Sequence, residues 1–533
     1  MDKKVLIAFV LALLVIIYYP RYLKQIDPPT AEQTPGPAAE QSTGIQDTPP
    51  TAAIPPAALQ QAEFTKAPET PERELTFSTP LTEVTFSSHG GTIKKIRLLQ
   101  YQDQQGNPLE LVTPLPVRYR PLATNIPENI LDYRLSRQDN TIICTANEND
   151  LKITKTYLFS PDSYIIQISM ILENTGTSQL IIPGYNISVG AIFPGSESQA
   201  QIYLGSTNLI DGKAVKNKLG KKGWKTTRTG RIFWSGLKSK YFAIILKPET
   251  MAQMVSLRDY ELNGIRGVFC EATLPQIVIS AGGNVTEPFI LYAGPKKHAI
   301  LKTLGFQLDQ IMDFGMLAPI SKIVLYILNF FYGIVHNYGI AIILLTILVK
   351  IILYPLTLKS YKSMREMHKV QPLVQELQKK YKSEPKRMQK EMMLLYKEHK
   401  VNPFSGCFPM LLQMPILIAL FTSLRSAIEL RGAPFILWIT DLSEPDTIFR
   451  LSNGFPINIL PIFLLGTFFI QQKMTTMPAT TEQQQQQQKM MRYIMPLFMG
   501  FIFYKMPSGL VLYFALSTLL GIMDQYRIEK SKK

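Results

Sequence analysis

Polar and apolar positions divide this chain into three textures. Residues 27–71 are rich in Pro, Ala, Thr and Gln, with hardly an aromatic residue. Such a segment buries too little surface to fold, and it predicts a disordered tether. From residue 72 apolar and polar positions alternate. Residues 81–99 read as two strands around His89-Gly90-Gly91, and residues 153–172 as a second pair around Pro161-Asp162-Ser163. Short strands of this kind recur as far as Tyr292, so residues 72–296 are expected to form a β-sandwich. From Lys297 the period becomes helical, and Leu301, Leu304, Leu308 and Ile311 mark one face of a short amphipathic helix.

Residues 320–336 are apolar enough to resemble a membrane span. Lys322, Tyr326, Asn329, Gly333 and His336 nevertheless fall on one helical stripe, polar or weakly apolar, as in a helix lying in the membrane interface. Residues 297–338 are therefore expected to be interfacial. Long apolar runs follow at 339–356, 408–428, 456–471, 490–504 and 510–523. The last two are joined by the tight turn Met506-Pro507-Ser508-Gly509 and read as a helical hairpin. Between the first two runs, residues 359–405 predict a helical hairpin. Ser383 is its expected N-cap and Pro385 lies in the first turn of its second helix. Leu373, Leu377 and Tyr381 are expected to face Met388, Met392 and Leu395. The basic exterior of this hairpin is either a solvated face or a docking site for acidic partners and anionic lipid headgroups.

At the start, Lys3 and Lys4 precede fifteen apolar residues, 5–19. No small-residue cleavage site follows, so an uncleaved anchor over residues 1–26 is preferred to a cleaved signal peptide. The fold expected is thus a polytopic α-helical membrane protein of six spans with an all-β sandwich domain. The spans are the anchor, residues 339–358, and four more within 406–526, followed by a basic tail at 527–533.

Charge orients the layout. The 533 residues carry a formal net charge of +16, yet there is no RNP motif, zinc knuckle or glycine-rich phosphate loop, and no specific nucleic-acid binding is expected. Twelve Lys or Arg against five Glu lie in residues 359–400. Only Arg431 and Arg450 separate the next two spans, and Lys505 stands alone before the last. With six spans the basic counts alternate as the positive-inside rule requires, whereas a seventh at 320–336 would break the alternation. Both termini are then cytoplasmic and the sandwich is periplasmic, outside a bacterial inner membrane.

Of the three cysteines, Cys144 and Cys270 lie in the sandwich, where a bond is permitted but two buried thiols are the simpler reading. Cys407, at the edge of a span, is read as packing. Neither metal-ligand spacing nor a nucleophile–base pairing appears, and no cofactor is expected. The basic stretch 216–231, with Trp224, reads as a solvated loop rather than a docking surface.

One position stands out chemically. Lys350 lies inside the run GIAIILLTILVKIILYP, residues 339–355. A charge at such depth costs roughly 2.5–3.5 kcal/mol on insertion scales and normally faces a partner, a cavity or a pathway. The competing reading is snorkelling, since Lys359 is only about 13 Å further along a helix.

Four blocks in order resemble the YidC membrane-protein insertase family: NYGIAIILLTILVKIILYPLTLKSYKSM, EMMLLYKEHKVNPFSGCFPMLLQMPILIALF, APFILWITDLS and MPSGLVLYFALS. The anchor, tether and β domain look like the periplasmic region of its Gram-negative members. The resemblance implies a five-helix insertase core around a hydrophilic groove, open to the cytoplasm and lipid, in which a cation attracts the polar part of a nascent protein. Lys350 occupies that position, where relatives commonly carry arginine; lysine keeps the charge without the planar fork. Thr346, one turn earlier, and Tyr513 match further groove residues, while Phe514 replaces a tyrosine of some relatives. Gln413 is a further groove candidate, with a helix–helix hydrogen bond as its alternative role. The partners implied are nascent membrane proteins, the Sec translocon, the signal recognition particle receptor and the ribosome. A small-anion transporter or channel and a membrane-anchored periplasmic scaffold are the other function classes, though no inverted repeat supports the first.

Overall fold

The computed structural model describes residues 68–195, 200–381, 384–399, 408–475 and 490–530. The anchor, most of the tether, Ser383 and Cys407 lie outside these residues. The chain divides into two compact units, one holding Ala62–Met364 with Gly406–Lys533 and the other including Arg365–Ser405.

The β domain is a two-layer antiparallel sandwich. Its smaller sheet has four strands in sequence order, Glu74–Ser78, Thr82–Ser87, Thr92–Gln102 and Pro108–Val112. The second and third form the expected hairpin, turned at Gly90 and Gly91, whose φ values of 74° and 55° suit glycine. The larger sheet has twelve strands, and Leu151–Phe159 pairs with Ile165–Asn174 in register as the sequence pattern predicts. Between the sheets, Phe86 meets Tyr157 at 4.7 Å and Phe77 meets Phe159 at 4.6 Å between ring centroids. Alternation places one side of each strand in this apolar layer, which is what the period-two pattern encodes. Cys144 and Cys270 are both buried free thiols.

The basic stretch 216–231 is not a loop. Most of it lies in two strands, Lys213–Lys218 and Lys225–Lys238, and Lys216 reaches Asp313 at 3.2 Å. The amphipathic helix expected over 301–311 is also interrupted. Helix α1, His298–Thr303, ends before Gly305, Phe306 and Gln307, all with left-handed φ, and a 3₁₀ turn follows at Leu308–Ile311. Trp234 Nε1 donates to the Phe306 carbonyl at 3.0 Å, pinning this break to the sandwich, and Leu301, Leu308 and Ile311 remain buried.

Helix α2, Ala318–Val335, covers the proposed interfacial segment. It buries Ser321, Val324, Leu325 and Leu328, while Ile323, Phe330 and Ile334 join Tyr326 on the outer side. Helix α3 runs Tyr338–Lys380 without a break at the predicted end of the span, continuing through Pro355 and Pro372. Helix α4 is Pro385–Glu398, with Pro385 in its first turn as expected and Glu384 at its N-cap. Gln378 Nε2 lies 3.8 Å from Met392 Sδ, joining these two helices. The buried positions before it are Met367, Val370 and Val374, whereas Leu373, an expected contact residue, is exposed.

The remaining helices are α5 (Phe408–Ser426), α6 (Ile459–Thr475), α7 (Met495–Phe503) and α8 (Ser508–Lys530). Among described residues Ala318–Val335, Tyr338–Ser360 and Ser508–Ile528 are long and apolar enough to cross a membrane, and the other apolar helices are shorter. Small hydroxyl residues stitch α2 to α5. Ser321 Oγ and Thr422 Oγ1 are 3.0 Å apart, and Ser423 Oγ donates to the Ser321 carbonyl at 3.1 Å, the kind of close polar packing that replaces the hydrophobic effect inside lipid.

Candidate functional site

Helices α3, α6 and α8 place Lys350. Two close approaches fix α3 against α8. Near its start, a side chain at Gly509 would meet Ile342 at 3.2 Å; further along, one at Gly521 would meet Lys350 Nζ at 3.4 Å. Sequence numbers rise along both helices between these contacts, so the two run in the same direction. The second contact lies about 12 Å along α3 and about 18 Å along α8 from the first. Thr346 and Tyr513, two of the groove candidates, sit between these levels.

The surroundings of Lys350 are polar for a segment so apolar. The same absent side chain at Gly521 would lie 3.7 Å from Gln471 Nε2 on α6, so ammonium and amide converge on one glycine notch. The Asp524 carboxylate, one turn beyond Gly521 on α8, acts electrostatically on Lys350. Gln525 Nε2 donates to the Met474 carbonyl at 3.0 Å and ties α8 to α6. Along α8, Tyr513, Ser517, Gly521 and Gln525 follow one another at i, i+4 spacing and are small or polar, with Tyr513, Ser517 and Gln525 buried. On α6 Thr467 and Gln471 repeat the spacing.

Thr346 is buried and its hydroxyl donates to the Ile342 carbonyl at 2.7 Å, satisfying it within its own helix. Tyr513 is buried too, its ring 5.6 Å from that of Phe514. Lys350 is only partly buried. Polarity and access therefore increase along α3 from Thr346 to Lys350. Gln413 lies on α5, but its side chain is outside the described residues.

The end of the seam nearest the sandwich is closed by the segment 433–446. Asn337 Nδ2 donates to the Phe435 carbonyl at 3.1 Å, and Gly339 packs so tightly on the Phe435 ring that no Cβ fits there. Gly509 N donates to the Leu442 carbonyl at 2.9 Å and Ser508 N to that of Glu444 at 2.8 Å. Asp446 accepts hydrogen bonds from Ile459 N at 2.9 Å and Leu460 N at 2.7 Å, capping α6.

Lys350, Thr346 and Tyr513 were candidates from the sequence; Gly521, Ser517, Gln471, Asp524 and Gln525, which lie on or beside the same seam, were not. The signal was present in the four-residue repeat of small and polar positions through the last apolar run. An ammonium with amide and hydroxyl neighbours in an apolar bundle attracts carboxylates and hydrogen-bond acceptors. Among described residues no group of acids, histidines and cysteines is disposed to hold a metal.

Comparisons with known proteins cover nearly the whole chain. Residues 74–327 match the YidC periplasmic domain family and residues 330–533 the 60Kd inner membrane protein family. The membrane protein insertase YidC of Pelobacter propionicus is 34% identical over 567 residues, covering 99% of each chain. Those of Syntrophus aciditrophicus and Geobacter sulfurreducens are each 33% identical and cover at least 99% of both chains.

Proposed function

Because this chain belongs to the YidC family of membrane-protein insertases, non-enzymatic inner-membrane proteins that act on nascent membrane proteins, we propose that Lys350 is its substrate-attracting cation. The polar seam of α3, α6 and α8 is the hydrophilic groove. Its carrying observation is the convergence of Lys350 Nζ and Gln471 Nε2 on the Gly521 notch, at the more accessible end of a seam closed toward the sandwich. Thr346 and Tyr513 line its packed, deeper part, and Gln413, on α5, is a further candidate for it.

The groove lowers a barrier rather than making or breaking covalent bonds. A translocating polar segment otherwise crosses hydrocarbon, at a cost of several kcal/mol for each unsatisfied polar group. Lys350 draws in an acidic segment, and neighbouring amides and hydroxyls replace its water. Release follows when the substrate's apolar helix partitions into lipid, at about 25 cal/mol per Å² buried.

The membrane arrangement we assign has six spans: the anchor within residues 1–26, residues 339–358, and four within 406–526. Residues 27–71 are a linker, 72–296 the periplasmic sandwich and 297–338 an interfacial segment. Residues 359–405 form the cytoplasmic hairpin and 527–533 the tail, so both termini are cytoplasmic. We assign anionic lipid, the ribosome and the signal recognition particle receptor to the basic hairpin as partners, and the Sec translocon to the helical core.

Replacing Lys350 with Glu tests the electrostatic step. Insertion of a single-span substrate with an acidic translocated tail should fall about tenfold, equivalent to ~1.4 kcal/mol, while the same substrate with a neutral tail is much less affected. Undiminished insertion of the acidic substrate overturns the role of Lys350.

A further inference from the structure

Strand register gathers four lysines on one face of the larger sheet. The strand Gly205–Ile210 pairs on one side with Lys213–Lys218 and on the other with Lys225–Lys238. Lys218 and Lys238 both stand opposite Gly205, and Lys216 and Gly236 both stand opposite Thr207. Lys238 also stands opposite Ala243, and Ala243 opposite Gly294. Residues directly opposite in an antiparallel pair share a face, as do residues two apart along a strand. Lys216, Lys218 and Lys238 therefore project from one face. Lys296, two residues beyond Gly294, joins them, and its N–H continues the ladder by donating to the Tyr241 carbonyl at 2.7 Å.

The segment 306–313 runs along this same face and brings a single acid to it. A Cβ at Gly236 would lie 2.8 Å from Ile311 Cδ1, and Lys216 Nζ donates to the Met312 carbonyl and to the Asp313 carboxylate, each at 3.2 Å. Among the described residues Asp313 is the one carboxylate that acts on Lys238 and Lys296. It is already engaged with Lys216, so four cations share one anion.

Two of the four are unsatisfied. Lys238 and Lys296 are 5% and 6% exposed, and among the described residues neither ammonium has a hydrogen-bond or ion-pair partner. Lysine is almost never buried to that extent without one, since a buried charge is costly until it is paired. Lys216, Lys218 and Asp313 are exposed, which leaves the group open to solvent on their side.

Position narrows the chemistry of the missing anion. Lys238 is two residues before Lys240, which reaches Glu444 of the helical core at 3.7 Å. Asp313 is separated from α2 by only the short 3₁₀ turn Gly315–Leu317. Helix α2 is long and apolar enough to cross a membrane and exposes Ile323, Phe330 and Ile334. The lysines thus lie where the chain passes from the sandwich to lipid, the level of the headgroup layer. Anions there are chiefly lipid phosphates, which lysine binds as a point charge.

We infer that this lysine face binds one phosphate group, that of an anionic phospholipid in the leaflet on the sandwich side. The phosphate oxygens accept from the Lys238 and Lys296 ammoniums, with Lys216 and Lys218 flanking the entrance. A lipid held there ties the sandwich to the bilayer beside α2. Free phosphate offers the same oxygens, and the two sources separate in the test.

The full-length protein is purified and offered phosphatidylglycerol or phosphatidylcholine, and the lipids retained are counted by native mass spectrometry. Wild type should retain one phosphatidylglycerol more than K238M/K296M, with no such difference for phosphatidylcholine. Lys213→Met, which removes an exposed cation from the opposite face of the same strand, should retain as much as wild type. Asp313→Asn keeps all four lysines and removes the competing carboxylate, so it should strengthen retention several-fold, a gain that misfolding does not produce. Inorganic phosphate at the same concentration should not displace the lipid. Equal retention of phosphatidylglycerol by wild type, K238M/K296M and Asp313→Asn overturns the site. Displacement by equimolar inorganic phosphate overturns its assignment to a lipid.

Discussion

Gly521 gives Lys350 its room. A Cβ at that position stands 3.4 Å from Lys350 Nζ, an ordinary contact, but a longer side chain occupies the space of the ammonium. Gly521→Ala should therefore insert substrates nearly as wild type does, and Gly521→Leu should lose the preference for acidic tails. Protease protection of paired acidic and neutral substrates reads both outcomes, and an intact preference in the leucine variant contradicts this arrangement. In the sandwich, buried lysines give a different residue-scale expectation. Burial pushes Lys155 and Lys238 down to about 8 and Lys296 to about 7. The unfolded chain then binds more protons than the folded one between these values and the ordinary lysine range. Stability should rise with pH across that window. Urea unfolding of the sandwich between pH 7 and 10 should show this rise, and Lys296→Met should flatten it; a slope unchanged by Lys296→Met argues against that lysine as a source. Lys350 was legible in the sequence because a charge inside an apolar run is conspicuous. Gly521 and Gln471 were not, because a glycine or glutamine in a span gains meaning only when helix packing brings it to the charge.

Periodicity located most elements, and its failures have physical causes. The strand Lys225–Lys238 was hidden because its first half carries polar residues on both faces and only its second half is buried. The segment 301–311 kept its apolar spacing but lost continuity, since three successive left-handed residues cannot extend a helix. At the end of the run 339–356 hydropathy changes but the helix does not stop, and α3 continues through Pro355 into the basic segment. At the element scale Asp446 is the residue to change. Its carboxylate accepts from two N-terminal amides of α6 and from Trp438 Nε1 at 3.3 Å. Asp446→Ala should destabilise the core by about 1–2 kcal/mol, seen as a lower midpoint of thermal inactivation. Asp446→Asn should recover part of the loss, and an unchanged midpoint in Asp446→Ala rules out the cap as a stabilising element.

The sandwich and the helical core belong to one compact unit and touch at specific points. Besides Lys240 and Glu444, Arg431 donates to the Gln102 carbonyl at 2.7 Å. Yet the polar seam is assembled from α3, α6 and α8, and its closed end is made by residues 433–446. Deleting residues 72–292 should therefore leave most insertion activity in place, where a periplasmic scaffold would lose its function. The family was legible from four sequence blocks, whereas the polar seam required the structure. The most direct test of an autonomous, charge-guided insertase is reconstitution of the purified chain alone in liposomes. A single-span substrate with an acidic tail is added, and its insertion is scored by protease protection. Protection well above that of empty liposomes, and greater than that of the neutral-tailed substrate, is the expected result. Protection no higher than in empty liposomes, with the chain folded and correctly oriented, would contradict autonomous insertion.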